Sequence, residues 1–190
     1  TMIYIIDDFL DKDVLKTIEK EIKENEFTER KFPDKSFWIQ EANPYLVKYI
    51  LTKLEIEEDT FLESTSAFFR EAKGDQDNDW RVHCDFGPNT AEANRACVLY
   101  INQNITDDLN GTAFWDHKKH GPTLEYGNLK EYNRILLEDS EDLSKWKLQS
   151  VVGSKKNRLL SYPTNYFHSK YPNEFKESRV VFVMFYKIKN

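Results

Sequence analysis

The sequence contains four histidines, and one of them precedes an aspartate by two positions in His83-Cys84-Asp85. The surrounding residues 80–86 carry aromatic and β-branched side chains, which favours a β-strand. Because side chains alternate along a strand, His83 and Asp85 would share one face and Cys84 would point away. An imidazole and a carboxylate on one face are two of the three ligands of a 2-His-1-carboxylate metal site. We therefore predict a metal site here; an ordinary polar strand face is the alternative interpretation.

The third ligand would have to come from a distant strand, and His168 is the best candidate. It lies in an aromatic stretch just before the last apolar strand, which Arg179 opens. An arginine is costly to bury unless an anion meets it, and its guanidinium group is well suited to a carboxylate. Arg179 is therefore either an anion-binding residue inside the protein or a residue at the solvent end of its strand.

The other two histidines, His117 and His120, are three residues apart and could hold a metal ion on a helix. Because Gly121 and Pro122 follow them directly, we favour a solvated loop at the rim of a pocket. The acidic run 138–142 is expected to be solvated surface. The two cysteines, Cys84 and Cys97, are expected to be packing residues of strands.

The elements that must position these residues fall into two parts. Residues 1–60 are predicted to be a helical support region with a short strand at 3–6. One helix follows Asp11 as its N-cap, and the next follows Asn43 with Pro44 in its first turn. Apolar residues recur in both at the spacing of a helix with one buried face.

From residue 61 onward the chain reads as short strands separated by turn-forming residues. The predicted strands are 61–73, 80–86, 95–102, 112–115, 148–152, 158–162 and 179–188. Helices followed by many strands, without βαβ alternation, indicate helices packed on an antiparallel sandwich or barrel. Residues 118–149 are charged, with Leu129, Tyr132 and Leu136 at helical spacing. We interpret them as an insertion over one face, which, like residues 86–94, would determine specificity.

Composition limits the function classes. A chain of 190 residues with a net charge of -6 is expected to form one domain and has no basic footprint for nucleic acid. No run of about 18 apolar residues could cross a membrane. The first residues have no basic region before a long apolar stretch, so we expect no signal peptide and a cytoplasmic location. Two cysteines fit a reducing compartment.

Taken together and in order, these features resemble the 2-oxoglutarate- and Fe(II)-dependent dioxygenases, in particular the prolyl-4-hydroxylase-like branch. Residues 95–102, RACVLYIN, are similar to the R-x-x-T-x-x-x-Y-L-N strand of that branch. Residues 110–114, NGTAF, are similar to its G-G-x-x-x-F motif, with Asn110 in place of the first glycine. The opening IIDDFLDKDVLKTI, His83-Cys84-Asp85, His168 and Arg179 complete the match. The tyrosine that often precedes the first histidine has no clear counterpart near Arg70.

The resemblance implies a double-stranded β-helix, or jelly roll, in one domain over residues 1–190. It implies Fe(II) bound by His83, Asp85 and His168, with the C5 carboxylate of 2-oxoglutarate bound by Arg179 and Tyr100. The expected enzyme uses O₂, with ascorbate as a candidate reductant, and releases succinate and CO₂. It would hydroxylate a peptidyl, prolyl-like substrate or a small amino-acid-like one. A cupin-type metal-binding isomerase and a non-catalytic module of the same fold are the alternatives.

Overall fold

The structure, a computed structural model, describes residues 2–32, 35–73, 76–77, 79–86, 92–102, 110–171 and 177–189. Its helices are α1 (Lys12–Glu24), α2 (Pro44–Glu58) and α3 (Leu129–Glu138), with a 3-10 turn at Leu143–Lys145. Its strands are β1 (Tyr4–Ile6), β2 (Thr28–Lys31), β3 (Ser36–Glu41), β4 (Phe61–Ala72), β5 (Arg95–Tyr100), β6 (Gly111–His117), β7 (Trp146–Gly153), β8 (Leu159–Pro163), β9 (His168–Tyr171) and β10 (Arg179–Lys189).

The strands form two antiparallel sheets. The larger sheet has seven strands in the order β1-β8-β5-β10-β4-β3-β2, and the smaller has three in the order β7-β6-β9. Strand β10 lies between β5 and β4 and pairs with both along most of its length. The predicted fold class is confirmed: the protein is mainly β, with helices at its N-terminal side and a jelly-roll core.

The two faces of the larger sheet have different neighbours. Side chains of one face, including Leu99, Phe182 and Met184, pack against the apolar faces of α1 and α2 and are fully or almost fully buried. Their neighbours in sequence point the other way, toward the smaller sheet, because strand side chains alternate. This inner face carries Val181 and Val183, with Arg179 at its end.

The helix starts only partly follow the prediction. Asn43 caps α2 as expected, because its side-chain oxygen accepts a hydrogen bond of 2.9 Å from the backbone N–H of Tyr45. Asp11 precedes α1, yet its side chain makes no capping bond. Its carboxylate instead accepts hydrogen bonds from the Tyr49 hydroxyl (2.7 Å) and the Lys53 ammonium (3.0 Å). Asp11 therefore joins α1 to α2.

Two predictions about the strands were wrong. The region 1–60 is not only helical, because β2 and β3 form a hairpin that extends the larger sheet. The residues of β2 are all exposed, so its sequence lacks the alternation of apolar and polar residues that would predict a strand. Residues 80–86 form no strand, and within them only His83 makes an isolated bridge, to His168. None of the described helices has the length and apolar composition that a bilayer crossing needs.

Candidate metal centre

His83 and His168 are brought together by backbone pairing. The N–H of each donates to the carbonyl of the other, at 3.0 and 2.9 Å, in the isolated bridge. Paired residues of an antiparallel ladder point to the same side, and the two imidazole centroids are 4.5 Å apart. One pair of backbone hydrogen bonds thus joins two histidines that are 85 positions apart in the sequence.

Asp85 completes the group. Residues 81–86 alternate between half-buried and buried, so His83 and Asp85 lie on one side although the segment belongs to neither sheet. The Asp85 carboxylate lies 3.6 Å from His83 Nε2 and 3.2 Å from His168 Nε2. One donor atom from each of the three residues falls within a span of 4.8 Å. The predicted convergence of His83, Asp85 and His168 is present in the fold.

The imidazoles have the tautomer that a metal ion requires. His83 Nδ1 lies 2.7 Å from the carbonyl oxygen of Arg81, and His168 Nδ1 lies 2.9 Å from that of Tyr166. A carbonyl can only accept a hydrogen bond, so Nδ1 carries the proton in both rings. The Nε2 atoms then face Asp85 and are the ring atoms left to bind a metal ion, and backbone carbonyls orient ligating histidines in this way. The residues present fit a metal ion with imidazole and carboxylate ligands.

Burial sets the electrostatics of this group. Burial, together with the nearby His168, lowers the pKa of His83 to about 4. For His168 burial also opposes the charged form, but the Asp85 carboxylate outweighs it and the pKa is raised. Burial disfavours ionised Asp85, yet the charge and hydrogen bond of His168 prevail and its pKa falls to about 2. At neutral pH the centre therefore offers a carboxylate to a cation.

Tyr162 is a fourth residue of the centre. Its hydroxyl lies 3.1 Å from Asp85 Oδ2 and 3.1 Å from His168 Nε2. Tyr162 belongs to β8, and its pairing with Ala96 places it on the inner face of the larger sheet. Sequence patterns assigned no role at the metal site to Tyr162, since nothing in its spacing pointed to His168.

The centre opens into a cavity of about 460 Å³ between the two sheets. Its wall includes the three candidate ligands, Tyr162 and Arg179. The inner face of the larger sheet contributes half-buried apolar side chains, and the β2–β3 hairpin contributes aromatic and basic ones. The segment that sequence patterns assigned to helical support therefore forms part of the cavity.

Arg179 is buried, with 8% of its surface exposed, so the solvent-end alternative for this residue is excluded. Its guanidinium lies 5.6 Å from the centroid of the Tyr100 ring and donates to the carbonyl of Gly111 at 3.4 Å. Tyr100 lies behind Arg179 and shares a hydrogen bond of 2.8 Å with the Thr112 hydroxyl. Arg179 and Thr112 line the cavity, whereas Tyr100 supports them from the core.

A second basic group on the cavity wall was not found from the sequence. Arg70 on β4 binds the carboxylate of Asp77 through two nitrogens, and Lys170 on β9 binds the same residue. The Arg70 guanidinium also lies over the Phe37 ring, 4.0 Å from its centroid. Lys170 faces the same side as His168, two positions earlier, and strand alternation could have indicated this.

Of the remaining histidines, His117 is buried and His120 lies half-buried in the turn that follows it. His117 ends β6 and is only 4% exposed, and Asp139 of the predicted surface run 138–142 is only 6% exposed. His117 Nε2 lies 3.1 Å from Asp139 Oδ2, and His120 Nε2 lies 2.7 Å from Glu131 Oε1. Neither histidine belongs to the described cavity wall. The predictions were wrong for His117 and Asp139, because the insertion folds back onto β6 and buries both, whereas Glu138, Glu141 and Asp142 of the run are exposed as predicted.

Other predicted features can be located as well. Cys84 and Cys97 are buried and unoxidised, as packing residues should be. The insertion contains the predicted helix, α3, but its buried residue is Ile135, while Leu129 is 42% exposed. Of the predicted specificity segment 86–94, residues 87–91 lie outside the described residues.

Known structures share this fold. A prolyl-4-hydroxylase from Pseudomonas putida aligns over 99% of this chain and 93% of its own, with a TM-score of 0.60 and 12% identity. HygX from Streptomyces hygroscopicus, determined with nickel and 2-oxoglutarate bound, aligns over 97% and 82%, with a TM-score of 0.60 and 9% identity. SnoN, a non-heme alpha ketoglutarate dependent epimerase from nogalamycin biosynthesis, aligns over 97% and 76%, with a TM-score of 0.60 and 12% identity.

No protein-family model and no curated protein matches the chain in sequence. The structural similarity shows the fold: the chain shares a jelly-roll fold with these three proteins, and its histidine–aspartate–histidine group lies within that fold. At 9–12% identity the similarity concerns the fold, and the prolyl-4-hydroxylase-like branch stays a prediction.

Proposed function

We propose that the protein is an Fe(II)- and 2-oxoglutarate-dependent dioxygenase that hydroxylates a peptidyl, prolyl-like substrate or a small amino-acid-like one. The observation that carries this proposal is a single cavity whose wall contains both three convergent candidate metal ligands and a buried arginine. A metal-binding barrel that binds no dicarboxylate would have no reason to bury an arginine in the cavity of its metal site. The cytoplasmic location remains a prediction.

His83, Asp85 and His168 would hold the iron through two Nε2 atoms and one carboxylate. Three protein ligands would leave further coordination positions of the ion open to the co-substrate and O₂. Bound Fe(II), 2-oxoglutarate and O₂ supply the oxidising power for hydroxylation, with succinate and CO₂ as by-products. The protein contributes the orientation of the ligands, through the Nδ1 hydrogen bonds to the carbonyls of Arg81 and Tyr166.

Arg179 would bind the C5 carboxylate of 2-oxoglutarate. Burial lowers the pKa of its guanidinium, and a carboxylate partner compensates the desolvation of such a cation. Thr112, which lines the cavity beside Arg179, offers a hydroxyl to the same group, and the Tyr100 hydroxyl orients Thr112 at 2.8 Å. Tyr100 then acts on the co-substrate through Thr112 and through its ring beneath Arg179.

The apolar part of the cavity wall favours an organic substrate. Phe68, Val183 and Phe185 are half-buried on the inner face and line the cavity. Apolar side chains that remain accessible inside a cavity favour the binding of an apolar group. A proline ring or another small side chain of a peptide or amino acid has this character.

The test is spectroscopic and requires no knowledge of the substrate. Fe(II) and then 2-oxoglutarate are added to the protein without oxygen, and the visible charge-transfer band of the iron–2-oxoglutarate chelate is recorded. We expect the band in the wild type and its absence in His168→Ala. A protein that binds iron but gives no band with 2-oxoglutarate would favour the cupin-type isomerase, and one that binds neither would favour the non-catalytic module.

A further inference from the structure

The segment that carries two of the three candidate ligands, residues 79–86, is not held by a sheet. Two of its backbone contacts come from the β8–β9 region: the bridge between His83 and His168, and the bond of 2.7 Å from the Asp85 N–H to the Thr164 carbonyl. Two further backbone contacts come from the insertion. The Val82 N–H donates to the Ser140 carbonyl at 3.0 Å, and the Tyr132 hydroxyl donates to the Cys84 carbonyl at 2.6 Å.

The insertion also packs against this segment through apolar side chains. The side chains that alternate with the ligands, Val82, Cys84 and Phe86, are at most 5% exposed. They share one core cluster with the insertion residues Leu124, Ile135 and Trp146. The ligand side of the segment faces the cavity, and its other side is covered largely by the insertion.

The insertion itself is anchored to the smaller sheet around Asp139. Its carboxylate accepts from Arg134 of α3 at 2.8 Å and from His117 of β6 at 3.1 Å. Its backbone carbonyl accepts from the indole N–H of Trp146 at 2.7 Å. Helix α3 is therefore fixed relative to β6 and β7, and it presents Tyr132 to the ligand segment from a rigid support.

Tyr132 contacts the ligand segment at the backbone carbonyl between the two ligands. Cys84 lies between the two ligands, so the orientation of its carbonyl sets the direction of the chain into Asp85. The Tyr132 ring packs against Phe86, with centroids 5.1 Å apart, and lines the cavity beside the centre. One side chain thus fixes the carbonyl before Asp85 and the aromatic residue after it.

We propose that Tyr132 is a positioning residue for the ligand pair His83 and Asp85, so that the insertion preorganises the metal centre. The inference rests on the metal-binding part of the proposed function and does not depend on the oxygenase reaction. Loss of a hydrogen bond that orients metal ligands typically weakens metal binding by about 10- to 100-fold. Because Tyr132 acts through a backbone carbonyl, we expect the lower end of that range, about tenfold.

The experiment measures Co(II) binding to the metal-free protein by titration calorimetry, with the visible d–d bands recorded at saturation. Tyr132→Phe removes the hydroxyl and keeps the ring. The matched control is Tyr126→Phe, since Tyr126 belongs to the same insertion and also packs on Phe86, at 5.7 Å. Its hydroxyl, however, bonds to Asn94 and Thr164 and not to Cys84. Urea unfolding of each metal-free variant reports any general loss of stability.

The expected result is a Co(II) dissociation constant about tenfold higher in Tyr132→Phe, with altered d–d bands, and a near wild-type constant in Tyr126→Phe. An unchanged constant in Tyr132→Phe, or equal losses in both variants, would overturn the positioning role. If the wild type binds Co(II) no better than His168→Ala, the metal centre itself is wrong, and that failure is distinct from the failure of Tyr132.

Discussion

The molecule contains two clusters of two histidines with carboxylates, and only one of them has the arrangement of a candidate metal site. In the cavity, both Nδ1 atoms of His83 and His168 face backbone carbonyls, and both Nε2 atoms face Asp85. In the second cluster, His117 Nδ1 accepts from the backbone N–H of Lys119 at 3.2 Å, so Nε2 carries the proton and donates to Asp139.

The carboxylates of the two clusters also have different partners. A single nitrogen of Arg134 lies 2.8 Å from Asp139 and 3.0 Å from Glu131, so both carboxylates already have a cation. The Asp85 carboxylate is held by Tyr162 and the histidines. Residue type alone therefore does not distinguish a metal centre from a structural network. The hydrogen-bond partner of the second imidazole nitrogen does distinguish them.

The largest expected effect is loss of metal binding from one cluster only. His83→Ala or His168→Ala should leave almost no iron on the protein after anaerobic reconstitution and desalting, because two ligands hold the ion poorly. His120→Ala, in the second cluster, should retain wild-type iron. Metal analysis per protein makes the measurement, and circular dichroism confirms that each variant is folded. Equal iron content in His168→Ala and His120→Ala would remove the distinction.

Asp85→Ala should stop hydroxylation while part of the iron and 2-oxoglutarate binding remains. The two imidazoles still converge through the backbone bridge, but the anionic ligand is gone and a coordination position is open. The measurements are succinate formation and the charge-transfer band in the same samples. Wild-type succinate formation by Asp85→Ala would show that this carboxylate is not a necessary ligand.

A more selective effect is expected at Arg179. Arg179→Ala should raise the 2-oxoglutarate Michaelis constant roughly 10- to 100-fold, since a charge-assisted hydrogen bond contributes about 1.5–3 kcal/mol. Iron binding should be nearly unchanged. Arg179→Lys should recover part of the loss, because lysine keeps the charge without the two-pronged geometry. Equal affinity of the three proteins for 2-oxoglutarate at fixed iron would refute the assignment and put the cupin-type alternative first.

The smallest effect concerns the second cluster and pH. The hydrogen bond from Arg134 lowers the pKa of Glu131 to about 2. A carboxyl group whose pKa is lower in the folded than in the unfolded protein stabilises the fold fully at pH values above its unfolded-state pKa. This stabilisation is lost as the pH falls through the folded-state pKa. The urea midpoint of the metal-free wild type should therefore fall between about pH 5 and 2, and less so in Glu131→Gln. A parallel decline in both proteins would contradict a contribution from Glu131.

The sequence led to the ligand pair His83 and Asp85 although the strand predicted at residues 80–86 is absent from the structure. An extended backbone places residues two apart on one side whether or not it joins a ladder, so His83 and Asp85 share a side even though residues 80–86 form no strand. The β2–β3 hairpin was missed because its first strand is exposed at every position. Periodicity detects only a strand that buries one of its faces.

The sequence by itself determined the division into N-terminal helices and later strands, the cap of α2 at Asn43, and the residue types that can bind a metal and a carboxylate. These features depend on local periodicity and side-chain chemistry. Only the tertiary structure decided that Arg179 is buried, that Asp139 and His117 are enclosed by the insertion, and that Tyr132 holds the Cys84 carbonyl. Burial, tautomer and hydrogen-bond partner are set by residues from distant parts of the chain, and a local pattern contains no record of which distant residues will be neighbours.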